Sequence, residues 1–273
     1  MRSGTTAVVV AYGDPAALDA CLASVPGLPV VVIDNGRDDR AREVCLRRGA
    51  RYERPATNLG FAAAVNVGLL LADTSHDILL LNPDARMDPG AFHELSTALG
   101  ADERLAAVAP LLRRPDGSVE RSEWPVPSPW QVWMDAVGVA GLVPWRRRFL
   151  TGAVLLLSRP ALCEIGPFDE RFFLYAEEAD WQLRARRAGW RLEVVPAASA
   201  EHVGGGTSKD PALRERHFNR SAAAFGVKWH GRSGWAIMRL GSLVAAARRA
   251  AWGPVGHRAA ARRALKHHLH ASR

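Results

Sequence analysis

A chain of 273 residues with 48% hydrophobic content can bury a full core, which excludes disorder throughout and leaves one large α/β domain or a domain with an appendage. Its net charge of +8 sits at one end: residues 228–273 hold ten Lys and Arg and no acid, leaving 26 basic against 28 acidic side chains in the first 227. A nucleic-acid binder spreads positive charge over its folded body, so a near-neutral body with a cationic end speaks against a nucleic-acid partner.

In chain order, TAVVVAY (6–12) and PVVVID (29–34) are continuous β-branched runs, the pattern of parallel strands buried on both faces, and PAALDACLAS between them is helical. A helix over 38–48, a short strand at 51–53, a helix over GFAAAVNVGLLLA (60–72) and a strand DILLLN (77–82) continue the alternation. This predicts an α/β fold, a doubly wound, mostly parallel sheet flanked by helices, which binds ligands beyond the carboxyl ends of its strands. Asp88 as N-cap and Pro89 at N1 predict a helix over 88–99. LAAVAPLLRRPDGSVER (105–121) then reads as strand, Pro-Asp-Gly turn and strand. Residues 122–148 are expected to be irregular, with Trp124, Trp130, Trp133 and Trp145 packing on their own domain or forming an acceptor cleft. FLTGAVLLLS (149–158) is expected as one buried strand. The tail segments AIMRLGSLVAAARRAAW and GHRAAARRALKHHLHA read as helices.

Cys21, Cys45 and Cys163 lie far apart without C-x-x-C spacing, which indicates neither a disulfide framework nor a zinc site and fits a reducing compartment. The N-terminal apolar run is too short for a signal peptide, and Arg239, Arg248 and Arg249 interrupt the best candidate for a membrane span. A cytoplasmic location follows as the expectation. The cationic tail leaves two readings open: a solvated helix pair, or peripheral docking on the anionic inner face of a membrane.

Polar residues gather where strands end or helices begin: Tyr12, Gly13 and Asp14; Asp34 and Asn35; Asn58 and Gly60; Asn82, Pro83 and Asp84. Each is an ordinary turn or cap residue by itself, but in a doubly wound sheet all four sets converge on one rim. Asp84, an acid closing an apolar strand, suits a hard divalent cation that grips a diphosphate. No G-x-G-x-x-G follows the first strand and no G-x-x-x-x-G-K-[ST] occurs, so a nucleotide would be held through carboxylates and metal. The stretch FFLYAEEADWQLRARRAGW (172–190) crowds Glu177, Glu178 and Asp180 ahead of Arg184, Arg186 and Arg187. These acids are either helix-dipole and i, i+4 partners, or a carboxylate beside an apolar wall whose raised pKa suits a general base.

VVVAYGD, VIDNG, NLGFAAAVNVGL, LLLNPDA, the run FLTGAVLLLSRPALCEIGPFDERFFLYAEEADWQLRARRAGW and VVPAASAEHVGGGTS resemble, in order and spacing, glycosyltransferase family 2, inverting sugar transferases with the GT-A fold. Within it the chain is most similar to bacterial rhamnosyltransferases that use dTDP-rhamnose, through APLLRRPDGSVERS and GPFDERFFLY. The likeness covers residues 6 to about 210, which implies a GT-A domain over 1–227 and a basic helical extension over 228–273.

The resemblance implies that Asp34 and the Tyr12–Gly13–Asp14 turn hold base and ribose, that Asn35, Asn58, Gly60 and Asn82 line the nucleotide pocket, and that Asp84 binds Mg or Mn with the diphosphate. Asn82-Pro83-Asp84 stands where many relatives have Asp-x-Asp, so one carboxylate of that motif is missing. His202 matches a position that in some relatives adds a metal ligand; a lone His is otherwise structural. Glu178 falls on the family's general base, usually Asp, with Glu177 or Asp180 able to share the task. The implied activity is inverting transfer of a sugar, L-rhamnose by the resemblance, from a nucleotide sugar to an acceptor glycan or polyprenyl-diphosphate-linked sugar of the cell envelope. The alternatives are a nucleotide-sugar-binding protein with impaired catalysis, and a transferase with another donor acting on a soluble natural product. GFAAAV with Phe172 and Phe173 is expected to wall the methyl group of a 6-deoxy sugar.

Overall fold

TAVVVA supplies the first strand, β1 (Thr5–Ala11), buried along its whole length, because β-branched side chains fill both faces of a parallel strand. The computed structural model of the protein describes residues 4–142, 147–204 and 211–252. It resolves into two units, one within Met1–Trp124 and Phe149–Ser221, the other within Pro125–Arg148 and Ala222–Arg273.

In the first unit α1 (Pro15–Ala23), β2 (Val30–Asp34), α2 (Arg40–Arg48), β3 (Arg51–Glu53), α3 (Phe61–Leu71) and β4 (Asp77–Leu81) follow β1. The four strands run parallel in the order β3-β2-β1-β4. The chain thus leaves β1 toward one edge and returns on its other side, which opens a crevice at the carboxyl ends. β5 (Ala85–Met87), α4 (Ala91–Ala101), β6 (Leu105–Arg113) and β7 (Val119–Glu120) come next. After them lie β8 (Glu123–Pro125), α5 (Pro129–Ala136), β9 (Arg148–Leu150), β10 (Val154–Leu157), α6 (Arg159–Ile165), α7 (Glu177–Arg187), β11 (Arg191–His202) and α8 (Pro211–Trp252). The main sheet reads β3-β2-β1-β4-β10-β6-β11-β5, with β7 on β6 and β10 antiparallel to both its neighbours. Alternation along β1 divides the core in two. Ala7, Val9 and Ala11 pack with residues of α1, α2 and α4, while Val8 and Val10 pack with α3, α6 and α7.

Three expectations are corrected. Asp88 does not cap α4; the helix begins after Gly90 at φ 82°, and the Asp88 carboxylate instead accepts a hydrogen bond from the Ser199 hydroxyl. FLTGAVLLLS is two strands, since the Thr151–Ala153 turn interrupts it, with the Thr151 hydroxyl donating to the Arg121 carbonyl at 2.9 Å. Residues 122–148 are not irregular throughout: they contain β8 and α5, and Ser128 caps α5 by accepting from Gln131 N–H at 3.2 Å. Ser-Pro is a helix start that the surrounding prolines obscured.

In the second unit α8 is interrupted at Gly231, where φ is 69° and ψ 178°. The His230 ring nitrogen Nε2 lies 3.1 Å from the Pro127 carbonyl, and Arg249 pairs with Asp135 of α5 at 2.6 Å. AIMRLGSLVAAARRAAW is helical as expected. Trp145 and GHRAAARRALKHHLHA lie outside the described residues.

Candidate active site

The carboxyl ends of β1 and β2 border a cleft of about 880 Å³, lined by Tyr12, Gly13, Asp14, Asp34, Asn35, Asn58 and Pro83 among others. Asp34, 2% exposed, is its most heavily bonded residue. Its Oδ2 accepts from the Tyr52 hydroxyl at 2.7 Å and from Arg54 Nη2 at 2.9 Å, and its Oδ1 accepts from Gly36 N–H at 2.8 Å. Arg54 reaches on to Asp39 at 2.6 Å. The hydrogen bonds that Arg54 donates to Asp34 and Asp39 hold its guanidinium above its ordinary pKa, and burial together with Asp34 pushes the Tyr52 phenol up. The floor of the cleft is therefore a fixed carboxylate with a matched cation.

Asn35 joins β2 to the next loop. Its amide donates to the Gly60 carbonyl at 2.9 Å and accepts from Leu59 N–H at 3.2 Å. Asn58 closes an Asx turn by accepting from Gly60 N–H at 2.8 Å. Gly60, at φ 81°, is required twice over: its backbone is left-handed, and a Cβ there would overlap the Phe173 carbonyl oxygen. Asp14 uses its carboxylate to cap α1, accepting from Ala16 N–H at 2.9 Å, and Gly13 takes φ 97°. Tyr12 is exposed beside them.

Phe173 also accepts from Phe61 N–H at 2.6 Å, which ties the cleft loop to the segment leading into α7. That segment is pinned repeatedly: Asn66 brackets Phe168 at 2.9 Å, and Ser221 Oγ donates to the Leu174 carbonyl at 2.7 Å. Tyr175 and Ala176 both sit at φ 71°, left-handed without being glycine. Such strain persists only where its surroundings impose it. It turns the chain so that Glu177 and Glu178 open α7 side by side.

Glu177 is buried and Glu178 half-buried, and among the described residues the buried Oε2 of each has no hydrogen-bond partner. Burial raises the carboxyl pKa of both, and the neighbouring Glu178 charge pushes Glu177 further, well above the carboxylate range. Asp180 differs: fully buried, it pairs with Arg184 at 3.1 Å, and Arg184 also donates to the Ile165 carbonyl at 2.7 Å. The dipole reading thus describes Asp180, while among the described residues Glu177 and Glu178 have no ion pair with a cation. Glu178 packs against Gly152, whose neighbour Ala153 accepts from Asn82 N–H at 2.9 Å. The end of β4 and the start of α7 therefore share the Thr151–Ala153 turn.

Asp84 and His202 come together where β5 meets β11, with Asp84 Oδ1 3.5 Å from His202 Nε2 and both side chains 11% exposed. On the other side of the ring, Nδ1 is hydrogen-bonded to Glu120 Oε2 at 3.0 Å. Burial by itself lowers the His202 pKa, but the hydrogen bonds and charges of Asp84 and Glu120 outweigh it and raise it. Among the described residues no group of three or more His, Cys, Asp or Glu is arranged to hold a metal. As a donor pair, however, a carboxylate oxygen and an imidazole nitrogen at this spacing suit one divalent cation, and a carboxylate on the far ring nitrogen is the usual outer support of a metal-bound histidine.

One expectation is corrected in part. Phe172, Ala62 and Ala64 are buried to 1% exposure or less, because α3 turns those alanines onto the sheet, which leaves Phe61, Ala63 and Phe173, all half-buried, as the partly exposed members of that set. Phe173 is half-buried and stacks on His217 at 4.8 Å. Three functional candidates escaped the sequence analysis. Tyr52 and Arg54 border the end of β3, the same rim as the residues that were found, so the topology already held their signal. Glu120, in a two-residue return strand, has no local one.

A family model described as Glycosyl transferase family 2 matches residues 6–161. The N-acetylglucosaminyl-diphospho-decaprenol L-rhamnosyltransferase of Mycobacterium tuberculosis is 31% identical over 262 residues, 84% of this chain and 85% of that one. Among solved structures, GalNAc-T7 with UDP, GalNAc and Mn2+ aligns at a TM-score of 0.63 and 15% identity, over 97% of this chain, which spans 55% of the length of that one. The mannosyltransferase PcManGT from Pyrobaculum calidifontis, in complex with GDP-Man and Mn2+, aligns at 0.60 and 16% identity over 98% of this chain and 81% of its own.

Proposed function

The chain belongs to glycosyltransferase family 2 and is a glycosyltransferase of the GT-A fold, and on that premise we propose that it transfers L-rhamnose from dTDP-rhamnose to a hydroxyl of a polyprenyl-diphosphate-linked sugar. The observation that carries this reading is the 31% identity, sustained over 84% of the chain, to a transferase whose name specifies that sugar and a lipid-linked acceptor. In the proposal the nucleoside lies in the cleft between Tyr12–Asp14, Asp34, Asn35 and Asn58, with Gly60 and Asn82 shaping its inner edge. Asp84 and His202 hold a divalent cation, supported by Glu120. When bound, that cation neutralises the diphosphate.

Transfer needs one base. The acceptor oxygen bonds to the anomeric carbon as Glu178 takes its proton, the bond from that carbon to the diphosphate oxygen breaks with its electron pair leaving on the nucleoside diphosphate, and the configuration inverts. Glu177, whose burial and Glu178 neighbour favour the protonated form, keeps a second negative charge out of the pocket, and Asp180 with Arg184 fixes the helix turn that carries both. Such a reaction runs at the cytoplasmic face of a membrane, where its two substrates meet.

A donor panel tests the proposal. With a lipid-linked N-acetylglucosamine acceptor, dTDP-rhamnose is expected to be turned over best. UDP-glucose would be poor but detectable, since a pocket shaped to a 6-deoxy sugar rejects an added hydroxyl by only about 10²-fold. Preference for UDP-galactose or a GDP-sugar overturns the donor, and full activity in excess chelator overturns the role given to Asp84 and His202.

A further inference from the structure

The second unit carries a surface that sugar transfer does not use. Beyond Gly231, α8 turns one side toward α5: a Cβ built on Gly241 would meet Val132 at 2.9 Å, and Met238 and Ala245 of that side are buried. The opposite side, followed at 3.6 residues per turn, reads Ala236, Ile237, Leu240, Val244, Ala247 and Ala251. All six are exposed and none is polar. Ile237 is 48% and Leu240 54% exposed. Arg232, exposed, and Arg239, half-buried, run along one edge.

We propose that this stripe seats the protein on an anionic lipid bilayer, the apolar side chains entering the headgroup boundary and the arginines along the edge meeting lipid phosphates. Charge decides the occupant. Residues 228–273 contain ten Lys and Arg and no acid. A second copy packed stripe against stripe would bring like-charged edges together, since residues 228–273 offer no acidic side chain across such a contact. Residues 253–273, folded back on it, would do the same, since they add five more cations and no Asp or Glu. An anionic bilayer supplies both missing features, apolar depth and negative charge. Among the described residues no helix is long and apolar enough to cross a membrane, so α8 lies on the surface rather than through it. The proposal is independent of which sugar is transferred.

Vesicle co-sedimentation of the full chain provides the test. Vesicles of equal parts phosphatidylglycerol and phosphatidylcholine are expected to carry the protein down, and phosphatidylcholine alone to bind it about tenfold less or weaker. The triple variant Ile237→Ser, Leu240→Ser, Val244→Ser should lose about tenfold or more of the binding to anionic vesicles, because each substitution removes apolar surface that the bilayer would bury. Leu70→Ser, at a still more exposed leucine of α3 in the first unit, 83% accessible, should bind as the wild type does. Should the triple variant fail to fold, Leu240→Ser and Ile237→Ser singly are expected to weaken binding in the same direction. Wild-type protein that ignores anionic vesicles, or serine variants that bind as it does, overturns the proposal. So does a wild-type dimer that the variants convert to monomer without any vesicle binding, which would assign the stripe to a second copy.

Discussion

Two sets of acids in the first unit meet opposite fates. Asp34 is sealed beneath the cleft with a guanidinium, a phenol and a backbone N–H on its oxygens, whereas Glu177 and the half-buried Glu178 open α7 with one buried oxygen each that has no partner among the described residues. Both arrangements remove a carboxylate from water, which is costly unless the charge is matched. Where the fold supplies the match, the acid becomes part of a rigid platform for binding. Where it withholds the match, the acid is destabilised as an anion and its pKa rises, the property that the proposed base requires. Asp180, three residues past Glu177 and paired with Arg184, shows that a cation was within reach of this helix and is directed to one acid only.

The comparison can be broken at several points. The largest expected effect belongs to Glu178→Gln, which removes the acceptor and should lower turnover by roughly 10² to 10⁴-fold with little change in donor affinity; near-wild-type turnover would move the role to Glu177. Asp34→Asn strips a charged partner from Arg54 and Tyr52 and should cost about 1.5–3 kcal/mol in urea unfolding, the value of a hydrogen bond to a charged group. No loss would mean that the platform does not need its charge. Glu120→Ala should weaken Mn2+ binding by about 10 to 100-fold in calorimetry, the usual consequence of losing a metal's outer support, with Glu120→Gln recovering part of it. Equal affinity in all three proteins would leave Glu120 as packing.

Glu177→Gln gives the smallest effect and the opposite sign to Asp34→Asn. The folded Glu177 carboxyl holds its proton above its unfolded value near 4.3. Stability from this group is therefore fully present below that value and is lost as pH rises through the raised folded one. Glutamine has no proton to lose, so the melting temperature of the variant should match wild type in acid and exceed it at neutral pH. A lower melting temperature at neutral pH would show that Glu177 is ionised and paired.

The alternation of VVV runs and helices was legible because a parallel sheet buried on both faces leaves an unmistakable apolar pattern, and the rim followed from it: Tyr12–Asp14, Asp34, Asn35 and Asn58 were found as strand ends before any coordinate placed them on one cleft. Ser128-Pro129 and the break at Thr151–Ala153 were missed, because a proline-rich stretch hides a helix start and an apolar run hides a turn. The burial of Phe172 was also illegible. Adjacent aromatics look alike in sequence, and only the left-handed turn at Tyr175 and Ala176 with the anchors of that segment decides which one faces inward. Glu120 was beyond reach because its partner, His202, lies 82 positions away and nothing in a two-residue strand announces it.

The dependence of kcat on pH, measured for the wild type and for Glu178→Gln under saturating donor and acceptor, tests the central claim most directly. If the Glu177–Glu178 pair provides the base, the wild-type rate should rise with pH along a limb displaced above the ordinary carboxylate range, a property of the coupled pair, and that limb should vanish in the residual activity of the variant. A limb at the ordinary carboxylate value, or one that survives unchanged in Glu178→Gln, would contradict it.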